Sequence, residues 1–266
     1  MSDALFTRDG DHFVPTDLTR GGWSDTAQHG SPPSGLLADA IEKVSTFAPM
    51  QVARFTIDLF RPVPLQPLRV ETHVLRDGKR IQVVEAILRH GDLEVGRATA
   101  LKIRTTEVDL PDVEQERWEQ PPPPEDGVPV KGFWQFDSDL LRFHRDAVEI
   151  RSIDSSFMQY GPGLSWFRLK PDVIAGQETT PFVRLATLAD MSNGNSQALD
   201  PEAYLYVNPD ITLYAHRLPK GEWVGMRSAA HQHRSGIGLA DTRVFDRTGP
   251  LGRINQAQLL DHRPGG

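Results

Sequence analysis

Cysteine is absent from this chain of 266 residues. Its absence excludes disulfide bonds, thiolate nucleophiles and cysteine-ligated zinc. Positive charge is also scarce, because 29 Lys and Arg stand against 36 Asp and Glu, giving a formal net charge of −7 and a pI near 5.7. Nucleic acid and anionic membranes require a basic face on their protein partners. We therefore expect neither as a partner.

Long apolar runs are absent as well. None approaches the ~20 residues that span a bilayer, and the N-terminal stretch MSDALFTRDGDHFVPTD has no apolar core of signal-peptide length. We therefore expect no membrane span and a cytoplasmic location. The apolar fraction of 38% and the charged fraction of 24% are those of a globular protein. The length allows one large domain or two small ones.

One segment separates the chain into two parts. Residues 106–130, TEVDLPDVEQERWEQPPPPEDGVPV, are acidic, rich in proline and without apolar periodicity. The four consecutive prolines favour an extended spacer. We predict a linker here, between an N-terminal domain over residues 1–105 and a C-terminal domain over residues 131–266. A long surface loop is the alternative.

Both domains show the same order of elements. In the first, SPPSGLLADAIEKV places apolar residues at helical spacing, and four segments rich in β-branched residues follow, separated by turns. In the second, a helix in PFVRLATLADMSNGNSQAL is again followed by four such segments. The repeat predicts an α+β fold of two tandem units, each a long antiparallel sheet curled around one central helix, with the sheets joined edge to edge.

The two copies differ at polar positions. Aligning GRATALKIR at 96–104 with GRINQAQLL at 252–260 places Ala100 opposite Gln256, and the corresponding alignment of Arg61 with Arg217 places Val52 opposite Asn208. Both copies keep an acid in LAD on the helix, at residue 39 or 190. Because the first copy lacks both amides, we expect one site per chain, in the second copy.

Several short motifs together resemble one family. They are HG at 29–30, FRPVPLQPLRVETHVLRDGKR at 60–80, LAD at 188–190, NPDITLYAHRLPKGEW at 208–223 and GRINQ at 252–256. In this order they resemble the double-hotdog acyl-CoA thioesterases of the type II, TesB-like family. The resemblance implies a double hotdog that hydrolyses the thioester of fatty acyl-CoA to free acid and CoA, without a cofactor or a metal.

The resemblance also implies catalytic residues. TesB-like enzymes use an Asp on the second central helix, a Ser or Thr on the next strand and a Gln on the last strand, which correspond here to Asp190, Asn208 and Gln256. Asn208 departs from the usual hydroxyl, although an amide can also donate and accept. A histidine that some members carry before FRP is absent, with Ala53 and Thr56 nearby.

Thioester hydrolysis without a nucleophilic side chain requires an oriented water, a base and donors for the carbonyl oxygen. We expect Asp190 to accept from the water and the two amides to orient it. Main-chain amides near His29, Gly30 and Ser31, at the start of the first helix, would bind the carbonyl oxygen with help from the helix dipole.

Other interpretations of these residues stay open. Gln256 alternates with Gln258 along the predicted strand, so both could face solvent. The pair of His231 and His233 is better explained as exposed side chains than as a metal site. A basic cluster beside a hairpin turn consists of Arg76, Lys79 and Arg80. It is better explained as solvent-exposed charge than as a binding site for the phosphates of CoA.

Two other functions also stay open. A non-catalytic acyl-CoA-binding hotdog protein is one. An enoyl-CoA hydratase is the other, but it requires an acid paired with a histidine, and neither central helix offers a histidine beside its acid. Self-association through sheet edges or faces is a further expectation.

Overall fold

The computed structural model describes residues 4–111, 118–130, 139–154, 160–196, 199–200 and 203–263. Its α-helices are α1 Ser31–Glu42, α2 Pro181–Leu188 and α3 Met191–Asn195. Its strands are β1 Ala4–Asp9, β2 His12–Pro15, β3 Met50–Leu59, β4 Arg69–Arg76, β5 Ile81–His90, β6 Leu93–Arg104, β7 Val128–Val130, β8 Val148–Ser152, β9 Gly163–Leu169, β10 Asp172–Ile174, β11 Tyr204–Val207, β12 Asp210–Ala215, β13 Trp223–Gln232, β14 Ile237–Asp246 and β15 Gly249–His262.

One large antiparallel sheet runs through both halves of the chain. Its strand order in the described residues is β4-β5-β6-β3-β12-β15-β14-β13-β9-β8-β7, and β11 also pairs with β15. The halves meet at β3 and β12, where Thr56 lies directly opposite Thr212. The alignment that matches Arg61 with Arg217 makes these two threonines equivalent residues of the repeat. The predicted joining of two sheets edge to edge is therefore confirmed.

The two central helices pack against each other and against strands of the sheet. The Ser34 hydroxyl donates to the Ala186 carbonyl oxygen at 2.8 Å. A Cβ at position 35 would overlap the Thr187 hydroxyl, so glycine at this position allows the close approach. Leu36, Leu37 and Ile41 of α1 are fully buried. Such burial stabilises each side chain by ~1.5–3 kcal/mol.

Several short strands lie outside the predicted repeat. β1 pairs with β2 and, in parallel, with β10 of the second half, so the start of the chain crosses to the other unit. β7 falls inside the segment predicted as a linker and extends the sheet by pairing with β8. The domain bounds at 105 and 131 remain a prediction. In the described part of the chain, no helix combines the length and apolarity that a membrane span requires.

Candidate active site

A cavity of about 450 Å³ lies where the two halves meet. Its polar end contains His29, His144, Asp190 and Asn208. The rest of its wall is largely apolar and includes Trp23, Leu59, Phe60, Val63, Met191 and Tyr206. Sites for small organic ligands have this composition, with an apolar wall and a few polar groups that fix orientation.

The three side chains predicted to form the site converge on one carboxylate. Asp190 lies at the junction of α2 and α3, Asn208 between β11 and β12, and Gln256 on β15. The Asn208 amide donates to Asp190 Oδ1 at 2.7 Å, and the Gln256 amide donates to the same oxygen at 3.2 Å. Asp190 is only 7% exposed and Gln256 is fully buried.

His29 from the first half completes the coordination of this carboxylate. Its Nδ1 lies 2.8 Å from Asp190 Oδ2. Because a carboxylate only accepts, the Nδ1 proton must point to Asp190, which leaves Nε2 as the acceptor of the neutral ring. The Ser31 backbone nitrogen also lies 3.2 Å from Nδ1. Nδ1 cannot accept while it donates to Asp190, so this contact is an approach of two donors.

Gly30 allows His29 and Asp190 to meet. A Cβ at position 30 would lie 2.7 Å from Asp190 Oδ2 and 3.1 Å from Leu59 Cδ1, both closer than normal contact. The Gly30 backbone is in the ordinary helical region, at φ −64°. Glycine is therefore required here for space and not for an unusual conformation.

Asp190 is held in its charged form. Burial raises the pKa of this carboxyl, but the charge and hydrogen bond of His29 and the hydrogen bonds of Asn208 and Gln256 outweigh burial, so the pKa lies below the ordinary value. The buried acid is thus a fixed negative charge at the polar end of the cavity.

The predicted residues differ in their access to the cavity. Asp190, Asn208, His29 and Gly30 line it, whereas Gln256 and Ser31 lie outside its lining. Gln256 reaches Asp190 from outside this lining, and its role in orienting the water stays a prediction. Ser31 is fully buried, and its hydroxyl has no hydrogen-bond partner among the described residues.

His144 is a cavity residue that the sequence patterns did not reveal. It lies in a π-helical turn, Phe143–Ala147, and its ring centre is 6.3 Å from that of His29. Burial, together with the charges of His29 and Arg142, lowers the pKa of His144 to about 3, so the ring is neutral at physiological pH. A lone histidine in a segment without periodicity offered no signal for this position.

The corresponding acid of the first half, Asp39, is in a different environment. Lys43 donates to one of its oxygens at 2.8 Å, and Gln177, from the segment before α2, donates to the other. A lysine thus neutralises Asp39, which is 4% exposed. In the described residues, the trio of His, Asn and Gln surrounds Asp190 alone, in keeping with one site per chain.

The other polar groups considered from the sequence lie on the surface. His231 and His233 are exposed, and His233 Nδ1 lies 2.9 Å from the Ser235 hydroxyl. Within the residues that the structure describes, no three His, Asp or Glu side chains gather as metal ligands would. Gln258, in contrast, is 3% exposed and does not face solvent.

Three solved structures share this fold over nearly the whole chain. A protein from Thermobifida fusca assigned as a thioesterase II is 15% identical, with 96% of this chain and 95% of that chain covered and a TM-score of 0.73. A hot dog fold protein of unknown function from Alicyclobacillus acidocaldarius is 16% identical, at 100% and 97% coverage and a TM-score of 0.71. An acyl-CoA thioesterase II from Mycobacterium marinum is 14% identical, at 99% and 98% coverage and a TM-score of 0.69.

These likenesses place the protein in the class of double-hotdog proteins. At identities this low, they show the fold and nothing about the activity. The sequence itself matches two family models, the acyl-CoA thioesterase N-terminal domain over residues 19–103 and the acyl-CoA thioesterase C-terminal domain over residues 114–260. The chain therefore belongs to the acyl-CoA thioesterase family. No curated protein sequence matches it.

Proposed function

We propose that this protein hydrolyses fatty acyl-CoA thioesters to the free acid and CoA in the cavity beside Asp190. The observation that carries the proposal is the buried, charged Asp190 carboxylate, held by Asn208, Gln256 and His29 at the polar end of an apolar cavity. The apolar wall suits an acyl chain. Family membership supports the thioester as the reacting group.

The reaction adds water to the carbonyl carbon of the thioester. One proton of the water passes to a base, the C–S bond breaks, and that proton passes to the sulfur of CoA. Water attack requires a base within hydrogen-bond reach of the water and a donor for the carbonyl oxygen. The cavity offers both kinds of group.

The geometry favours His29 as the base. Asp190 Oδ1 already accepts two amide hydrogen bonds, and Oδ2 accepts from His29. His29 Nε2 has no hydrogen-bond partner within the described part of the chain, and the side chain lines the cavity. Histidine is the side chain best suited to exchange protons near neutral pH. Asp190 then fixes the tautomer and stabilises the charged imidazole that forms, instead of taking the proton itself.

The remaining residues have supporting roles in this proposal. Asn208 lines the cavity beside Asp190, and its second amide hydrogen can orient the water. Gln256 holds the carboxylate from behind. The Gly30 backbone N–H, at the start of α1, is the donor for the carbonyl oxygen, since Pro32 and Pro33 have no N–H to offer.

The Asp190–His29 pair also favours a second function, the hydration of an enoyl-CoA. The sequence argument against a hydratase was that neither central helix carries a histidine beside its acid. His29 precedes the first helix, and the fold brings it to the acid of the second. The pair therefore has the two groups that a hydratase requires.

One set of assays separates the functions. Acyl-CoAs from acetyl to palmitoyl are incubated with the protein and scored for free thiol, and a 2-enoyl-CoA is followed by loss of its conjugated absorbance. We expect thiol release that disappears in His29→Gln, and no loss of the conjugated absorbance beyond the loss that thiol release accounts for. Hydration without thiol release would support the hydratase instead, and binding without either reaction would leave an acyl-CoA-binding protein.

A further inference from the structure

A second layer of buried polar side chains lies behind the site on α3. Asp190 can only accept hydrogen bonds, so Asn208 and Gln256 must both present their nitrogens to it. Their oxygens therefore face away and need donors. The Asn193 amide donates to Asn208 Oδ1 at 3.0 Å, and the Ser192 hydroxyl donates to Gln256 Oε1 at 2.6 Å.

The same reasoning continues one step further into the core. Asn193 also donates to the Tyr206 carbonyl oxygen at 3.0 Å. This second bond fixes the orientation of the Asn193 amide group. Its oxygen accepts from the Gln258 amide at 2.7 Å, and Gln258 Oε1 accepts from Gln232 at 3.4 Å. Each amide in the series Gln232, Gln258, Asn193 and Asn208 thus donates in the direction of Asp190.

We propose that Ser192, Asn193 and Gln258 are positioning residues that set the direction of the two amides facing Asp190. This proposal rests on the proposed function, because direction has a kinetic effect only if Asp190 serves the reaction. The three residues are 0%, 6% and 3% exposed. Ser192 and Gln258 lie outside the cavity lining, whereas Asn193 lines the cavity and donates to Asn208.

These residues can set the direction of the two amides because a reversed amide beside Asp190 is unfavourable in free energy. Were Asn208 or Gln256 to turn over, an amide oxygen would face a buried carboxylate, and two acceptors would repel each other where no solvent screens them. Ser192 and Asn193 on α3 disfavour the reversed state further, because reversal would leave their donor groups without an acceptor. Gln258 on β15 supports Asn193 in the same way. The amide donors stabilise the charged acid, which in turn keeps the proton of His29 on Nδ1.

In the described part of the chain, the titratable side chains that line the cavity with Asp190 are His29, His144, Tyr206 and Arg61. His29 contacts Asp190 directly, and His144 lies beyond it, 6.3 Å from His29 between ring centres. His144 stays neutral because burial lowers its pKa to about 3. A change in the titration of Asp190 in a variant of α3 or β15 therefore reports on the amide donors.

The test uses Ser192→Ala and Gln258→Met, which remove one donor each at similar volume. We expect kcat for acyl-CoA hydrolysis to fall ~10-fold with KM nearly unchanged. The acid limb of the kcat–pH profile should move up by about one pH unit, because each variant frees an amide to turn its donor away from the Asp190 carboxylate, and a hydrogen bond to a charged group is worth about that much. Ser192→Thr keeps the hydroxyl and should restore the profile.

Asn195→Ala is the matched control. Asn195 lies on the same short helix, is 2% exposed, and donates to Gly163 O, Met226 O and Ser228 Oγ without any link to Asp190. It should lower the free energy of unfolding and leave the pH profile in place. A profile shifted equally by Asn195→Ala, or unshifted in both Ser192→Ala and Gln258→Met, would overturn the positioning role.

Titration of the Asp190 carboxyl carbon by NMR separates this proposal from the proposed function. If the wild-type protein hydrolyses no acyl-CoA but the pKa of Asp190 rises in Ser192→Ala and Gln258→Met, the function is wrong and the positioning of the amides stands. If hydrolysis is present and the pKa of Asp190 is the same in all variants, the function stands and the positioning role is wrong.

Discussion

Replacing Asp190 with asparagine keeps the shape of the side chain and removes its charge. Asn208 and Gln256 both donate to Oδ1, so the single oxygen of an asparagine would turn to them. Its NH2 group would then face His29 Nδ1, at the place of the present 2.8 Å contact. Two donors cannot pair, so His29 would move its proton to Nε2 and lose its acceptor toward the cavity.

The size of the effect follows from this change of tautomer. The same Asp-to-Asn exchange behind the histidine of a Ser-His-Asp triad lowers kcat by ~10⁴ for this reason, and loss of a general base generally costs ~10²–10⁴. We expect kcat of Asp190→Asn to fall by ~10³–10⁴ with little change in KM, since the loss belongs to the chemical step. Thiol release at saturating acyl-CoA measures it.

Asp39→Asn is the control that the repeat provides. Asp39 occupies the corresponding position on α1, is buried to a similar extent and also loses its ion pair on substitution. We expect roughly wild-type turnover from it. Full activity in Asp190→Asn would show that other groups carry hydrolysis, and an equal loss in both variants would show that the effect is one of stability.

Two further predictions concern the surroundings of the site. In Gly30→Ala, the new Cβ would lie 2.7 Å from Asp190 Oδ2. Moving the carboxylate ~0.7 Å to normal contact should cost up to ~10²-fold in kcat, since displacements of ~1 Å have that effect. Turnover equal to wild type would refute the steric role of this glycine. His144 has a folded-state pKa of about 3 against 6.5 for the free side chain, so its contribution to stability is complete above pH 6.5 and is lost as pH falls toward 3. Urea unfolding should lose up to ~1.4 kcal/mol per pH unit in that window, and His144→Gln should flatten the slope; the same slope in both proteins would contradict the assignment.

The strands and helices of the repeat were predictable because each has a local pattern. β3 to β6 and β12 to β15 show β-branched residues between turn signals, and α1 shows helical spacing. β1, β2, β7, β8, β9 and β10 were not predicted. These strands are short, and β1 and β10 are held by each other across more than half of the chain, so no local signal marks them.

The last strand shows why local patterns misjudge polarity. After Ile254, the buried residues of β15 are Gln256 and Gln258, while Leu259 is 63% exposed. An amphipathic interpretation would place the leucine inside. The amides face inward because α3 presents Ser192 and Asn193 to them, and only the tertiary packing reveals that partner.

The candidate site was also predictable only in part. The resemblance of short motifs led to Asp190, Asn208 and Gln256, which the fold brings to one carboxylate. The pairing of His29 with Asp190 was not foreseen, because it joins segments from different halves and depends on the direction of a single ring nitrogen. His29 had been expected only near the carbonyl-binding end of the first helix.

The β3–β12 junction, where Thr56 faces Thr212 with 3.3 Å between their hydroxyl oxygens, has a consequence for how the chain can vary. A two-fold dimer of single hotdogs would pair its strands in this way, with equivalent residues opposite each other. In such a dimer every substitution occurs twice, so neither copy of a site can change alone. Fusion of the copies removes that restriction. The acid near α1 could acquire a lysine partner while its counterpart near α3 kept its amides, and the two copies could be selected for different tasks, one for support and one for chemistry.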